Sequence, residues 1–268
     1  MIQEADRLFR RYMQALGWLG DPGLFELVRT HVIKVPVENV SGLLSGKTTL
    51  PDIEGFLAGI RERDLGGDVF TNNGYFAELL RYLDYDVELL GGEIDGDPFA
   101  HAVIKVLEDG RPHLVDVGLG APFYEPIAVD ALPFRMECGD WVYSIEAHGD
   151  ADTYTLTTRF QGAAATTCVL RPTPRKLADF APTIERRLSA GSDWLSRLRV
   201  TRVFAASRVA TIDNASVAIT HHNETNRRPL ADLEALSGSV VEDLQLHNLP
   251  IADAVAALKA RGVDVFAG

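Results

Sequence analysis

A histidine and an aspartate on one predicted hairpin are the residues best suited to proton transfer. The segment before the turn alternates along a strand, and Asp109-Gly110 is a strong signal for a two-residue hairpin turn. With that turn Val103 lies opposite Asp116, so His101 and Asp116 are diagonal neighbours on one face of the sheet. An aspartate that orients an imidazole and stabilises its charged form supports general-base catalysis. The pair is equally compatible with a buried hydrogen bond that only stiffens the sheet.

A glycine-rich stretch, Leu65-Gly66-Gly67-Asp68-Val69-Phe70-Thr71-Asn72-Asn73-Gly74, leads into a predicted helix. The apolar positions of that helix recur at helical spacing, at Phe76, Leu79, Leu80 and Leu83. Thr71, Asn72 and Asn73 are each plausible N-caps, so the residues beside them lie at the positive end of a helix dipole. Such a place suits a nucleophile or a developing oxyanion. The best-placed residue is Val69, whose side chain cannot be a nucleophile.

The composition excludes several classes of partner. The chain has 268 residues, of which 46% are hydrophobic and 24% charged, so it can bury a sizeable core in one or more globular domains. A formal net charge of −12 argues against nucleic acid or an anionic membrane as the main partner. The two cysteines, Cys138 and Cys168, are too few for a disulfide framework or a zinc site, and no metal site is predicted. With neither a signal peptide nor a long apolar span, a cytoplasmic protein is expected.

Helical patterns occupy the first part of the chain, and strand patterns follow. Helices are predicted at 5–16, at 24–31 and after Pro51-Asp52. Strands are predicted at 87–90, 102–107, 114–117, 141–146, 154–158, 167–170, 200–204, 209–212 and 217–219. Pro172-Thr173-Pro174 predicts a break. Residues 192–198 are predicted to form a helix or compact turn, and residues 251–258 a closing helix.

Together these stretches resemble the arylamine N-acetyltransferase family. The signature of that family is an Arg-Gly-Gly-x-Cys-Phe-Glu-x-Asn run, a later histidine and an Asp-Val-Gly-x-Gly run. Residues 65–73 lie on the first, His101 on the second and Asp116-Val117-Gly118-Leu119-Gly120 on the third. His31 with Val35-Pro36-Val37-Glu38-Asn39 looks like the His…Ile-Pro-Phe-Glu-Asn segment of the family. Weaker similarity continues through Glu125-Pro126, Asp179-Phe180 and Trp194-Leu195.

The resemblance implies an α+β fold whose core is similar to that of cysteine proteases and transglutaminases. Its three expected domains are an N-terminal helical bundle (1–85), a central antiparallel β-barrel (86–190) and a C-terminal α/β lid (191–268). The reaction implied is ping-pong acyl transfer from a CoA thioester, through a cysteine thioester, to an arylamine, an arylhydrazine or a related amine. Some relatives are amide synthases that release polyketides from a carrier protein.

The implied co-substrate is therefore acyl-CoA or an acyl-carrier thioester, with no tightly bound cofactor. Expected partners are a small-molecule substrate and, as a candidate, an acyl carrier protein. Phe70, Phe123 and Phe204 occupy positions where the family lines its acyl and acceptor pocket, although ordinary core packing would explain each of them. Asp68 and Thr71, beside the nucleophile position, complete the expected substrate-binding residues.

Three departures from the family pattern concern the chemistry directly. The cysteine position is Val69, the signature arginine is Leu65 and the signature glutamate is Thr71. Loss of both members of an opposite-charge pair indicates natural divergence rather than a single engineered change. Cys138 and Cys168 lie away from every motif, so they are predicted to be core or surface residues and not replacement nucleophiles.

Three functions are compatible with these residues. In the first, which ranks highest, His101 oriented by Asp116 deprotonates an amine or hydroxyl acceptor, which attacks an acyl thioester directly. The second is another base-catalysed reaction, such as a cyclisation or an isomerisation. The third is a non-catalytic homologue that binds an acyl ligand or a partner. Retention of the pair favours catalysis, because an idle buried pair gives little stability. Loss of three residues around the nucleophile favours the third function.

Overall fold

A computed structural model describes residues 2–149, 152–161 and 163–267 of the chain. Its helices are α1 (Ile2–Leu16), α2 (Leu24–Lys34), α3 (Val40–Ser45), α4 (Ile53–Arg63), α5 (Val69–Tyr82), α6 (Ala181–Leu188), α7 (Leu233–Glu242) and α8 (Ile251–Ala260). Its strands are β1 (Val37–Glu38), β2 (Asp86–Ile94), β3 (Asp97–Glu108), β4 (Arg111–Val115), β5 (Ile127–Ala128), β6 (Phe134–Cys138), β7 (Trp141–Ala147), β8 (Tyr154–Phe160), β9 (Thr166–Arg175), β10 (Arg199–Ala205), β11 (Arg208–Asp213), β12 (Ser216–His221) and β13 (Glu224–Pro229). Short 3-10 helices span Val129–Ala131, Leu177–Phe180 and Asp193–Leu195.

The N-terminal helices follow the boundary signals in the sequence. Helix α4 begins after Asp52, whose carboxylate accepts a hydrogen bond from the Gly55 N–H at 2.8 Å. Helix α1 ends before Gly17, which has a φ of +88° and so adopts a left-handed conformation that suits glycine. In the described ranges no helix is long and apolar enough to cross a membrane.

An eight-stranded antiparallel sheet, in the order β5-β4-β3-β2-β9-β8-β7-β6, curls into a nearly closed barrel. The β3–β4 hairpin has the register that its two-residue turn predicts, with Ile104 opposite Val115. The ladder ends at that pair, so Asp116 leaves the sheet and does not pair with Val103. The sequence thus predicts the register correctly and places the end of β4 too late.

Strand β9 runs through Pro172-Thr173-Pro174, where the sequence predicts a break. Strand β8 pairs with β9 only as far as Leu170, so the prolines lie beyond that ladder. A proline lacks the N–H that a ladder needs, and this segment has lost β8 as a partner and keeps only β2, where Pro174 lies opposite Leu90. The pairing of β9 with β2 also shifts register between Leu90 and Gly92, which is a further irregularity at this point.

Several elements lack a sequence signal strong enough to predict them: α3, α6, α7, β6 and β13. Strand β13 is the outer strand of its sheet and is exposed and charged, so it shows no alternation of apolar and polar residues. Helix α7 contains Gly238 between two serines, which lowers its helix propensity. Both elements therefore depend on tertiary packing, because their local sequence patterns do not specify them.

A five-stranded sheet, β1-β10-β11-β12-β13, takes its first strand from the N-terminal part of the chain. Val37 pairs with Thr201, and Glu38 pairs with Val200. One hydrophobic core joins α1, α2, α4, α5 and the barrel, while a second joins α3, the five-stranded sheet, α7 and α8. The domain boundaries at 85/86 and 190/191 stay predictions.

Two buried polar side chains attach the glycine-rich stretch to the C-terminal sheet. Glu38 accepts hydrogen bonds from the backbone N–H of Gly66 at 3.0 Å and of Ser41 at 2.7 Å. Burial raises the pKa of Glu38, and these hydrogen bonds oppose the rise. The next residue, Asn39, bonds through its carboxamide to the backbone of Trp194, Arg197 and Arg199.

Gly66 occupies a place where no side chain fits. A β-carbon there would overlap the carbonyl oxygen of Pro36 and lie 2.9 Å from Cγ1 of Val35. We expect Gly66→Ala to lower the free energy of unfolding by about 1–3 kcal/mol in urea denaturation. Gly238→Ala is the matched control, since open space surrounds Gly238 in α7, and it should instead stabilise by up to about 1 kcal/mol. Equal stability of the two variants would contradict the close approach.

His31 belongs to the core of the helical bundle. Its Nε2 lies 2.9 Å from the Tyr12 hydroxyl, and its ring centroid lies 4.8 Å from that of Phe76. Burial lowers the pKa of His31 from 6.5 to about 3. Between these two pH values the imidazole is therefore neutral in the folded protein, whereas the same imidazole is protonated in the unfolded chain.

This difference makes stability depend on pH. Because the folded-state pKa is depressed, the unfolded chain binds the extra proton, and stability is lost as pH falls below 6.5 towards 3. Between pH 7 and pH 5 the loss attributable to His31 is about 2 kcal/mol. We expect His31→Gln to lose correspondingly less free energy of unfolding over that interval in urea titrations. Parallel losses in the two proteins would contradict the assignment.

Candidate active site

Asp68 is the N-cap of α5, and the helix begins at Val69. Its Oδ1 accepts hydrogen bonds from the N–H of Phe70 at 3.1 Å, the N–H of Thr71 at 3.2 Å and the Thr71 hydroxyl at 3.2 Å. The N-caps predicted at 71–73 are therefore wrong, because Asp68 caps the helix and the helix starts at residue 69. The N–H groups of Phe70 and Thr71, which were expected to face an oxyanion, therefore donate to the Asp68 side chain instead.

His101 and Asp116 meet in a direct hydrogen bond and are called the dyad below. Nε2 of His101, on β3, lies 2.7 Å from Oδ2 of Asp116, in the loop after β4. The side chains are 7% and 5% exposed, respectively. In the neutral imidazole, a proton on Nε2 that is donated to the carboxylate leaves the lone pair on Nδ1. Nδ1 is then the atom that can accept a proton.

Asn73 holds the dyad aspartate in place. Its Nδ2 donates to Oδ1 of Asp116 and to the carbonyl of Ala102, each at 2.8 Å. Its Oδ1 accepts from the Val117 N–H at 2.8 Å. From the sequence, Asn73 is only a candidate N-cap and the last residue of the signature-like run, with no contact to Asp116 predicted. Its spacing of four residues from Val69 on one helix face was the signal for this role.

Gly118 brings the dyad loop against the start of α5. Its N–H donates to Oδ1 of Asp116 at 3.0 Å. A β-carbon on Gly118 would lie 2.6 Å from Cα of Val69 and 3.3 Å from Nδ2 of Asn73. Val69, at the nucleophile position, therefore packs directly on the backbone of the loop that carries Asp116.

The expected substrate-binding residues occupy different parts of the structure. Phe70 is buried and packs on Phe180, with ring centroids 5.5 Å apart. The polar groups of Asp68 and Thr71 bond to each other, as described above. Phe204 is half-buried against the second core, where its ring faces Arg208. The assignment of these residues to substrate binding stays a prediction.

Phe123 lines a small cavity and contacts a residue that lines a larger cleft. A cavity of about 10 Å³ inside the barrel is lined by Phe123, Asp116 and apolar side chains. A cleft of about 870 Å³ lies between the barrel and the five-stranded sheet and is lined by Tyr143. The rings of Phe123 and Tyr143 pack edge to face with centroids 5.3 Å apart. The aromatic pair therefore joins the lining of the inner cavity to the lining of the cleft.

Cys168 lies close to the dyad, contrary to the prediction that it lies away from every motif. A β-carbon built on Gly92 would lie 2.5 Å from Sγ of Cys168 and 2.9 Å from Cβ of His101. Burial, with a smaller effect of the Asp116 charge, raises the pKa of the Cys168 thiol to about 12. The sequence missed this proximity because β9 pairs with β2 across a long separation. A buried, protonated thiol is a poor nucleophile.

Cys138 is also buried, and burial raises its pKa. Within the described ranges, no cluster of three or more histidine, cysteine or carboxylate side chains is arranged to hold a metal.

Comparison with known proteins supplies the class of protein. The model of the N-acetyltransferase family matches residues 22–248. An arylamine N-acetyltransferase of Mycolicibacterium smegmatis is 29% identical over 181 residues, which are 61% of this chain and 65% of that protein. A pineal gland isozyme of Gallus gallus, NAT-10, is 28% identical over 37% of each chain. The chain thus spans less than two thirds of the length of these curated relatives.

Solved structures share the fold over nearly the whole chain. The arylamine N-acetyltransferase of Mycobacterium abscessus superposes with a TM-score of 0.78 at 20% identity, covering 97% of this chain and 96% of that one. The Mycobacterium marinum enzyme in complex with CoA gives 0.73 at 20% identity over 94% and 97%. This protein belongs to the arylamine N-acetyltransferase family.

The contacts of Asn73 predict a specific effect of its removal. Asn73→Ala removes one hydrogen bond from Asp116, which keeps those of His101 and Gly118, and takes the side-chain partner from the Ala102 carbonyl and the Val117 N–H. We expect a loss of about 1–3 kcal/mol in unfolding free energy. We also expect the hydrogen-bonded Nε2 proton signal of His101 to broaden or shift in NMR spectra. Asn72→Ala is the matched control, because Asn72 is buried on the same helix and bonds to Gly67 and Asp68. An unchanged His101 signal in Asn73→Ala would contradict the positioning role.

Proposed function

We propose that the protein transfers an acyl group from a CoA or carrier-protein thioester directly to an amine or hydroxyl acceptor. The observation that carries the proposal is the intact dyad beside a nucleophile position that holds Val69. An oriented imidazole is useful for proton transfer, while its buried hydrogen bond alone adds little stability. The family membership supports acyl transfer as the class of reaction.

The dyad supplies a balanced sequence of proton transfers. Nδ1 of His101 accepts the proton of the acceptor N–H or O–H as the acceptor atom attacks the thioester carbonyl. Asp116 stabilises the imidazolium that forms, through its contact with Nε2. The tetrahedral intermediate then collapses, the C–S bond breaks, and the thiolate takes the proton from the imidazolium. No acyl-enzyme forms, since valine has no lone pair with which to attack.

The cleft between the barrel and the five-stranded sheet supports binding of the donor. Its lining includes Arg197, Arg199 and Arg227, whose guanidinium groups suit phosphates. Leu119 and Gly120, in the loop that also carries Asp116, form one corner of the cleft. The Mycobacterium marinum relative has been solved with CoA. His101 does not line the cleft, so the acyl group must extend beyond the cleft wall to reach it.

That separation of His101 from the cleft lining favours a second candidate, a non-catalytic protein that binds an acyl ligand in the cleft. The dyad side chains are almost enclosed, neither lines the cleft, and Phe123 packs on Tyr143 of the cleft wall. In this case the dyad is only a structural hydrogen bond. Donor binding would then be retained without turnover.

Turnover by the dyad variants tests the proposal. With acetyl-CoA and 4-aminobenzoate, and with serine as a hydroxyl acceptor, we expect the acetylated product in mass spectra. His101→Gln and Asp116→Asn should lower kcat by about 100-fold or more, because the general base is lost or misoriented. His113→Gln is the matched control, since His113 is a buried histidine on the same hairpin that bonds to the Arg111 carbonyl. Its turnover should match that of the unaltered protein.

Two further observations separate direct transfer from its alternatives. Donor and acceptor must occupy the site together, so double-reciprocal plots should intersect, and intact-mass spectra with acetyl-CoA alone should show no adduct. An acetyl adduct at any of residues 65–73 would overturn direct transfer. Calorimetric binding of acetyl-CoA without turnover of any acceptor would favour the binding protein.

A further inference from the structure

The start of α5 carries an ion pair that the acyl-transfer proposal does not use. Oδ2 of Asp68 lies 2.9 Å from Nε of Arg187, which α6 supplies. The Asp68 side chain is 3% exposed and the Arg187 side chain is 27% exposed. Within the described part of the chain neither atom makes an aligned hydrogen bond, so the contact is electrostatic rather than directional.

Aromatic rings hold the guanidinium beside the carboxylate. The Arg187 guanidinium carbon lies 4.0 Å from the ring centroid of Trp194 and 5.9 Å from that of Phe70. A guanidinium over an indole face is attracted by the ring, and the attraction grows when water is excluded. Arg187 is therefore fixed by packing as well as by charge.

Neither partner occupies a position of the family signature pair. That pair maps onto Leu65 and Thr71, which cannot form an ion pair. Leu65 packs against the second core, and the Thr71 hydroxyl donates to Asp68. The carboxylate and the guanidinium at this helix start come instead from Asp68 and Arg187.

We propose that Arg187 is a positioning residue that acts through Asp68, because its charge balances the buried carboxylate that caps α5 beside the dyad loop. Asp68 closes the turn with Oδ1, and its other oxygen contacts Arg187. Without the arginine a buried carboxylate would lack a counter-charge, which is unfavourable unless the helix start moves. The pair also sets the electrostatic potential at position 69. The relevance of the pair to catalysis rests on the proposed function.

An introduced thiol reports that potential without any acyl transfer. In a Val69→Cys background, the pH profile of iodoacetamide alkylation gives the pKa of the new thiol. Arg187→Met leaves the Asp68 charge uncompensated and should raise that pKa, slowing alkylation at pH 7 by about threefold or more. Asp68→Asn keeps an oxygen that can cap the helix but removes the negative charge, so the positive charge of Arg187 is uncompensated. This variant should accelerate alkylation by a similar factor. Arg187→Lys keeps the charge and should restore most of the rate.

Opposite directions in the two variants distinguish charge placement from loss of structure. A merely structural contact would move both profiles in the same direction, and the double variant would then be the most altered. Under the proposal, the double variant returns towards the starting profile. Arg186→Met is the matched control, because Arg186 on the same helix forms an exposed ion pair with Asp97 and should leave the profile unchanged. Shifts of one sign, or shifts no larger than that control, would overturn the proposal.

Other groups near position 69 that titrate or carry charge are the same in every variant: His101, Asp116, Glu38 and Cys168. Differences between the pH profiles of alkylation therefore arise from the changes at Asp68 and Arg187. Failure of the acyl-transfer assay would leave these shifts in place, whereas failure of this inference would leave turnover by the dyad intact. The two proposals thus fail separately.

Discussion

The carboxamide of Asn73 makes the hydrogen bonds on which the rest of the site depends. It joins α5 to the Ala102 carbonyl on β3 and to Asp116 and Val117 in the loop after β4. These groups lie in a dry core, where a polar atom without a partner is strongly unfavourable, so the network persists only when it is complete. The bare backbone of Gly118 allows helix and loop to approach closely enough for those bonds.

The site holds Val69 where the family signature has its cysteine, beside an intact hydrogen-bond network around His101 and Asp116. Val69 fills the space with a side chain that needs no hydrogen bond, while His101 and Asp116 keep theirs. Asp68 also takes up two N–H groups at the start of α5 and brings a negative charge to the positive end of the helix. The start of α5 therefore has fewer free N–H groups to offer an anion, and it already carries a carboxylate.

Local signals predicted the parts of this structure that depend on neighbouring residues, and failed where distant segments decide. The turn at Asp109-Gly110 set the hairpin register, since a two-residue loop leaves one pairing. The break predicted at the prolines of β9 was wrong, because the sequence of one strand does not show that its neighbour β8 ends before the prolines. Cys168 and Arg187 reach the site through β9 and α6, at sequence separations where spacing carries no geometric information.

The attachment of Asn39 to the backbone of residues 194–199 has a consequence for the order of folding. Its hydrogen bonds span separations of 155, 158 and 160 residues, and β1 has no partner until β10 exists. Contacts of such length form late, because the chain between them must be closed into a loop first. The helical bundle and the barrel can be synthesised in full while β1 is still unpaired. The glycine-rich turn that leads into α5 is thus tied to the C-terminal sheet late, whereas the hydrogen bonds of Asn73, His101 and Asp116 join only residues 73–118 and can form before that sheet.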